Sequence, residues 1–470
     1  MQPLFVDLDG TLVKSDLLYE GIAAMITQSP CRLLQLPFWL LKGKAGFKAT
    51  VASHVDLDVT RLPYNRPFLE YLESQAKRGR ELILATASNE KFAAAVAEHL
   101  GFFKRVLSST EELNLAGSTK REAIVADAGE GRFDYAGNAP VDLDIWRHAR
   151  RAILVNPATG IERRLHGIAE VDQTFIDKRP RLAVYSMALR LHQWLKNLLV
   201  LVPLFASHQW HQLATLGTAL SGVLAFGLCA SSIYLLNDLA DLQSDRCHPR
   251  KRLRPLASGE ISILSGVVLG LLLIVAGFSI AIILSPGFSA ALLLYVVLTV
   301  AYSIRLKMVV IIDVLLLASL YTLRVISGAI LIDVEMSFWL LSFSMFLFVS
   351  LAIAKRCAEL NTMLRANRKK ARGRGYFVTD LEYLHAMGTA SGYLSVLVLA
   401  LYINSPDIRQ LYSQPELLWL LCPALLYWIS RVWLMTGRDK MHDDPLIFAV
   451  RDRPSQYVFI TAIAVVFLAV

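Results

Sequence analysis

Asn237-Asp238-Leu239-Ala240-Asp241-Leu242-Gln243-Ser244-Asp245 closes an apolar stretch, residues 212–236, that is long enough to cross a bilayer. On a helix its three acids, at i, i+3 and i+7, share one face. Three carboxylates on one face repel unless cations neutralise them. Carboxylates at such spacing hold Mg²⁺ and, through it, phosphate or diphosphate. Ionisable residues within a membrane region are costly and usually functional. A basic run follows: His248-Pro249-Arg250-Lys251-Arg252-Leu253-Arg254-Pro255. Acids beside bases suit a metal-bound polyanion; anchoring at a membrane face is a second reading of the same run.

Outward from this stretch, residues 181–470 read as a string of apolar segments. Nine are expected, at about 187–206, 212–236, 262–285, 288–304, 309–331, 337–354, 386–404, 417–434 and 456–470. The chain has 470 residues, 55% of them hydrophobic, with a mean hydropathy of +0.46, above the usual globular range. Basic residues fall on alternate loops. The loops at 237–261, 305–308, 355–385 and 435–455 carry nineteen, Arg368, Lys369, Lys370, Arg372 and Arg374 among them; the opposite loops carry Arg409 alone. That asymmetry predicts a multi-pass protein of the inner (cytoplasmic) membrane, with the aspartate stretch and the N-terminal domain in the cytoplasm. It also accounts for the net charge of +9 without a nucleic-acid partner. The five cysteines show neither metal-ligand nor disulfide spacing. No cleavable signal peptide is expected, because the chain opens on an acidic strand-like motif.

That motif is Asp7-Leu8-Asp9-Gly10-Thr11, directly after the apolar run Leu4-Phe5-Val6. Further short apolar runs, Leu82–Ala85, Phe133–Gly137 and Arg151–Val155, alternate with helix-like pieces such as Glu90–Leu100. This is the pattern of a parallel α/β sheet with ligands at the strand C-termini. Residues 20–75 interrupt it with helical, apolar and basic sequence. They read as a cap over the site, with a segment lying in the membrane interface as the second reading. Past a strand, one carboxylate of Asp7-x-Asp9 can attack phosphorus and the other can protonate the leaving oxygen.

This pattern resembles the haloacid dehalogenase (HAD) superfamily over about residues 1–170. The resemblance implies an N-terminal α/β Rossmann-like domain with a helical cap. It gives Asp7 and Asp9 the catalytic and Mg²⁺-binding roles, Thr86 and Lys120 the transferring phosphoryl group, and Asp142 the metal. In Gly137-Asn138-x-x-x-Asp142 the first expected acid is Asn138, a departure that predicts weaker Mg²⁺ binding.

The second half resembles the UbiA superfamily of intramembrane prenyltransferases, through its helices and its Asn-Asp-x-x-Asp-x-x-x-Asp motif. That implies a C-terminal all-α, nine-helix polytopic membrane domain. The domains are expected at 1–175 and 187–470, joined by a linker at 176–186. Ordinary members carry a second motif with two acids; this chain has Asp313, preceded by Tyr302 and Lys307. In that it resembles the subgroup of decaprenyl-phosphate phosphoribosyltransferases. The expected partners are then phosphoribosyl diphosphate (PRPP), a polyprenyl phosphate and the bilayer, with Mg²⁺ at both sites; an oligomer is compatible with the sequence. The resemblance makes Asp238 and Asp241 catalytic, and gives Asp238, Asp241, Asp245 and Asp313 to metal. Asn237, Arg250, Lys251, Arg254, Tyr302, Lys307, Arg324, Lys355 and Arg356 would bind substrate, because both substrates are polyanions. His442, Asp443 and Asp444 either cover the site or solvate it. The expected function is phosphoribosyl transfer, followed by removal of the 5-phosphate in the HAD-like domain. An aromatic prenyltransferase with a regulatory HAD-like domain is the alternative.

Overall fold

Alternate residues of a strand point to opposite faces of its sheet, so a run apolar at every position belongs to a sheet covered on both sides. The computed structural model bears this out. It describes residues 1–367, 374–441 and 444–470, without the side chains of Asp407, Arg409 and Gln410. Arg368, Lys369, Lys370, Arg372, His442 and Asp443 lie outside the described residues. The chain divides into two units: Met1–Leu189 with Tyr234–Gly270, and Arg190–Ile233 with Leu271–Val470.

The first unit holds a six-stranded sheet in the order β3-β2-β1-β4-β5-β6. Its strands are β1 (Leu4–Val6), β2 (Leu82–Asn89), β3 (Arg105–Ser109), β4 (Asp134–Gly137), β5 (Arg151–Val155) and β6 (Glu170–Phe175). All pairs are parallel, with Leu4 opposite both Leu82 and Asp134. Leu4, Val6, Leu82, Leu84, Ile153 and Val155 pack on one face with Phe68, Leu72 and Val96. Phe5, Ile83, Ala152 and Leu154 pack on the other with Phe133 and Trp146. The helix Glu90–Leu100 is set at both ends: Asn89 caps it by accepting from Lys91 N, and Gly101 closes it at φ 71°.

The insertion after β1 forms helices α1 (Leu17–Gln28), α2 (Leu36–Leu40) and α3 (Gly43–Ser53). They enclose a small core of Ala24, Met25, Trp39, Val51 and Val55. Residues 176–186 lie in this unit too, where Asp177 pairs with Lys14 at 2.5 Å and Arg179 pairs with Glu260. Gly259 (φ +74°) sits so close to Lys14 and Pro63 that a Cβ there would meet Lys14 Cβ at 2.8 Å.

Among the described residues, seven helices are long and apolar enough to cross a membrane. They are Leu213–Ala240, Ile263–Leu284, Pro286–Ile304, Ile312–Leu331, Phe338–Arg365, Val378–Ile403 and Pro415–Gly437. Two shorter apolar helical stretches, Leu191–Ala206 and Arg453–Ala469, stand where the first and last of the nine segments were expected. The core of the second unit centres on Val314, Tyr321, Phe348, Ile353, Trp428 and Trp433. Ser350 there donates to Gly388 O and accepts from Trp433 Nε1, the internal pairing that an apolar surround favours.

Candidate active sites

β1 delivers Asp7 to the C-terminal edge of the sheet. The turn beyond it needs Gly10, at φ +76°, where a Cβ would lie 2.4 Å from Asn138 Nδ2. Asp7 Oδ2 accepts from Thr11 Oγ1 at 3.0 Å, and Asp7 Oδ1 from Lys120 Nζ at 2.6 Å. Lys120 stands in the first turn of α4 (Ser118–Ala128) and also reaches Tyr135 OH at 2.8 Å. Asp9 Oδ2 accepts from Ser88 Oγ at 2.6 Å and Thr86 Oγ1 at 3.4 Å; its Oδ1 accepts from Leu17 N at 2.9 Å, the first residue of α1. Burial, then the charges of Asp16 and Asp7, push the Asp9 carboxyl up to about 7. A carboxyl poised there can give and take a proton at neutral pH.

Asp142 Oδ2 accepts from the amides of Asn138 and Ala139, and its Oδ1 from Tyr135 OH. Burial, reinforced by Asp7, raises its pKa. The structure thus brings all five expected residues, Asp7, Asp9, Thr86, Lys120 and Asp142, to one edge of the sheet. The Asn138 amide lies against the turn at Gly10, and Asp142 is braced on the backbone of Asn138 and Ala139. Ser88, Tyr135 and Lys48 were not anticipated. Lys48 enters from the cap, donating to Ala87 O at 2.6 Å and Asn114 Oδ1 at 3.1 Å; no motif marks it among the cap's lysines.

The aspartate stretch also belongs to the first unit. It spans the end of α5 (Leu213–Ala240) and α6 (Leu242–Arg246). Helical hydrogen bonds continue across the join, Asp241 N to Asn237 O and Asp245 N to Asp241 O at 2.9 and 2.8 Å. Asp238 and Asp245 converge on one nitrogen: Arg254 Nη1 donates to Asp238 Oδ1 at 2.9 Å and to Asp245 Oδ2 at 2.5 Å. Asp245 is buried and its Oδ1 accepts no hydrogen bond, although Lys251 Nζ stands 3.6 Å away. Two acids that already share one cationic centre, one keeping an unspent buried oxygen, are a donor set that fits a divalent cation. Asp241 is half-buried beside them and Arg250 is exposed. Among the described residues no three His, Cys, Asp or Glu side chains stand close enough to form a ready-made cation cage. Arg246, next to Asp245, is turned to Glu20 of α1, with bonds of 2.8 Å and 2.6 Å between buried side chains.

The second unit carries three polar groups of its own. Arg324 is buried, donating to Asn197 Oδ1 (3.1 Å), Leu320 O (2.6 Å) and Tyr295 OH (2.8 Å). Lys196 and Lys355 share Asp444, at 2.7 and 3.1 Å, with Tyr321 OH at 3.2 Å. Burial alone would raise the Asp444 pKa, but Lys355 and Lys196 outweigh it and hold the carboxyl well below its usual range. Lys196-Asn197, a polar pair inside an apolar run, was the signal that sequence reasoning passed over.

The third group holds Asp313 and Arg356. Both are fully buried and pair with each other at 2.7 Å, while Tyr376 OH donates to Asp313 at 2.6 Å and Arg356 also pairs with Glu359. Each supplies the other with a counter-charge in an apolar interior, and Arg374 Nη1 stands 3.6 Å from Asp313. Tyr302 accepts from Arg374 at 2.6 Å, and Lys307 is half-buried on the turn Leu306–Met308.

Residues 198–451 match the UbiA prenyltransferase family. The chain belongs to that family. It is therefore a transferase and, with its seven apolar helices, a multi-pass membrane protein. An uncharacterized protein y4nM of Sinorhizobium fredii is 36% identical over 97% of this chain and 89% of its own length, so it is similar through both halves. A decaprenyl-phosphate phosphoribosyltransferase of Mycolicibacterium smegmatis is 34% identical over 47% of this chain and 70% of its own. A solved UbiA homolog from Archaeoglobus fulgidus, bound to GPP and Mg²⁺, is 18% identical over 61% of this chain and 99% of its own, with a TM-score of 0.48.

Proposed function

We propose that this protein transfers 5-phosphoribose from PRPP to a polyprenyl phosphate, and that its N-terminal domain then removes the 5-phosphate. The observation that carries the first step is the convergence of Asp238 and Asp245 on a single cationic centre, with Asp245 Oδ1 unspent. The choice of substrates follows the similarity to phosphoribosyltransferases.

In this reading Asp238, Asp241 and Asp245 hold Mg²⁺ on the donor diphosphate, on the cytoplasmic side of the inner membrane. Bound there, the cation supplies positive charge to the departing diphosphate. A lipid-phosphate oxygen forms the bond to ribose C1; the bond from C1 to the diphosphate oxygen breaks, and its electron pair leaves with the diphosphate. The acceptor is already ionised at neutral pH, so no strong base is required. Arg254 and Lys251 compensate phosphate charge. Lys355 with Lys196 forms a further cationic group suited to a phosphate oxygen.

In the phosphatase step an Asp7 oxygen attacks phosphorus while Lys120 and Thr11 orient it. The bond from phosphorus to the ribose oxygen breaks and Asp9 protonates that oxygen. Asp9 then takes a proton from water, which attacks phosphorus and releases phosphate from Asp7. Mg²⁺ at this site would rest on Asp7 with Asn138 and Asp142.

The test is mass spectrometry of the lipid formed by the purified protein from labelled PRPP, polyprenyl phosphate and Mg²⁺. A ribosyl lipid is expected from the wild type, and a lipid heavier by one phosphate from Asp7→Asn. An unlabelled lipid, with product instead from prenyl diphosphate and an aromatic acid, overturns the transfer. A phosphorylated lipid from both proteins makes the N-terminal domain a docking module, the reading that Asn138 favours.

A further inference from the structure

We propose that the tip of the cap, residues 30–44, lies in the interface of an anionic bilayer, the same membrane that the chain spans. Three observations carry this.

The first is exposure. Leu34, Phe38, Leu40 and Leu41 are 79, 70, 59 and 85% exposed. They are not loose ends of an unfolded loop, because their neighbour Trp39 is 8% exposed and stacks on His54 at 4.9 Å. α2 is thus fixed by one face and presents the other, apolar and unpartnered. A soluble domain rarely leaves so many large apolar side chains side by side in water.

The second is charge. Between Glu20 and Asp56 the sequence holds no acid, and Arg32, Lys42 and Lys44 are exposed around the apolar face. Apolar chains ringed by bases are the composition of an interfacial segment drawn to anionic lipid. The same ring disfavours a second copy of this chain, since two such faces would set like charges against each other.

The third is the tether. Glu20 at the root of the cap grips Arg246 within the first unit. Arg246 lies six residues beyond Ala240, where the candidate span α5 ends. The cap is therefore held to a segment that has just left the bilayer, and chain connectivity supplies a high local concentration of the membrane surface.

The test uses the full-length protein, one copy per lipid nanodisc, with its cysteines replaced and an environment-sensitive fluorophore at Leu34→Cys. Position 34 is exposed, so the label does not threaten folding. A second protein carries the fluorophore at Glu98→Cys, an exposed site outside the cap. In discs with phosphatidylglycerol the label at 34 should shift to the blue and be quenched by lipid bearing a spin label near the carbonyl; the label at 98 should not. Lys42→Gln should lower the ratio of docked to undocked cap about fivefold in anionic discs, the equivalent of about 1 kcal/mol per basic residue, and leave neutral discs unchanged. Emission at 34 matching that at 98 in both lipids overturns the proposal. So does a blue shift that ignores the spin-labelled lipid, which places the tip on protein, or one that appears only in discs holding two copies.

Discussion

Glu20→Gln is the substitution that most directly tests how the aspartate stretch is joined to the N-terminal fold. Glu20 is fully buried, and its carboxylate takes both hydrogen bonds from Arg246, whose side chain is 4% exposed. Gln keeps the size and one acceptor but removes the charge. The guanidinium is then buried with only Ala257 O, at 3.1 Å, and the Gln amide as partners. Breaking a buried pair by removing one member costs about 3–5 kcal/mol, and the retained acceptor places Gln at the lower end. For a unit of 150–250 residues that corresponds to a fall of roughly 6–12 °C in apparent Tm. The assay is thermal unfolding of the detergent-purified protein at a fixed scan rate, since membrane proteins unfold irreversibly. On the proposed function, the fall should come with a loss of phosphatase turnover, because Glu20 sits in the first turn of the helix whose Leu17 amide holds Asp9. Glu20→Leu with Arg246→Met, an apolar pair of similar volume, should recover most of the stability. An unchanged Tm in both Glu20→Gln and Arg246→Gln would refute the reasoning.

Three further outcomes follow from the same geometry. Asp245→Asn should lower transferase turnover at least about 100-fold, several kcal/mol being the worth of a charge-stabilising metal site, with Mg²⁺ titration of the residual rate as the check. Gly10→Ala should destabilise the N-terminal fold by about 1–2 kcal/mol, because φ +76° is left-handed and the new Cβ runs into Asn138; urea unfolding followed in the N-terminal domain measures it. Asp452 accepts two hydrogen bonds from Arg431, and these, with Ser455, hold its carboxyl down at about 2. A depressed carboxylate pKa gives stability that is present above about pH 4 and lost as pH falls toward 2. The gap in thermal stability between wild type and Asp452→Asn should close over that window and stay constant above it.

The interior of the fold was legible because it is written in periods. β1 is apolar at every position, β2, β4 and β5 carry the buried runs Leu82–Ala85, Tyr135–Gly137 and Ala152–Val155, and seven helices have the length and apolar composition of membrane spans. β3 and β6 escaped the reading for one physical reason: they are the sheet edges. Glu170–Phe175 is almost wholly solvent-exposed, so its sequence carries no apolar signal, and only pairing with β5 makes it a strand. In the N-terminal domain, sequence order pointed to Asp7, Asp9, Thr86, Lys120 and Asp142, which stand together, while Ser88, Tyr135 and Lys48 beside them carried no signal. The membrane half was harder. Asp313 and Arg356 look, in sequence, like separate residues waiting for substrate; distance alone reveals that they stand 2.7 Å apart as an ion pair. Lys196 and Asp444 lie too far apart in the chain for spacing to join them.

The pairing of acids with Arg254 bears on how one stretch can serve in both the empty and the loaded protein. Asp238 and Asp245 are buried, and two carboxylates brought together repel unless a counter-charge stands between them. Arg254 removes that penalty by lending its charge to both at once. On the proposed reading, Asp238 and Asp245 would hold the divalent cation in place of the guanidinium, and Arg254 would turn to the diphosphate as its new anionic partner. The charges are exchanged between partners and none is stranded in a buried place. Lys251, already 3.6 Å from Asp245, can follow the same path. Arg246 cannot, because Glu20 holds it. Arg246, just ahead of the basic run, is thus tied to the N-terminal fold, while Arg254 and Lys251 of the run stand at the acids, a division that the sequence of bases alone does not disclose.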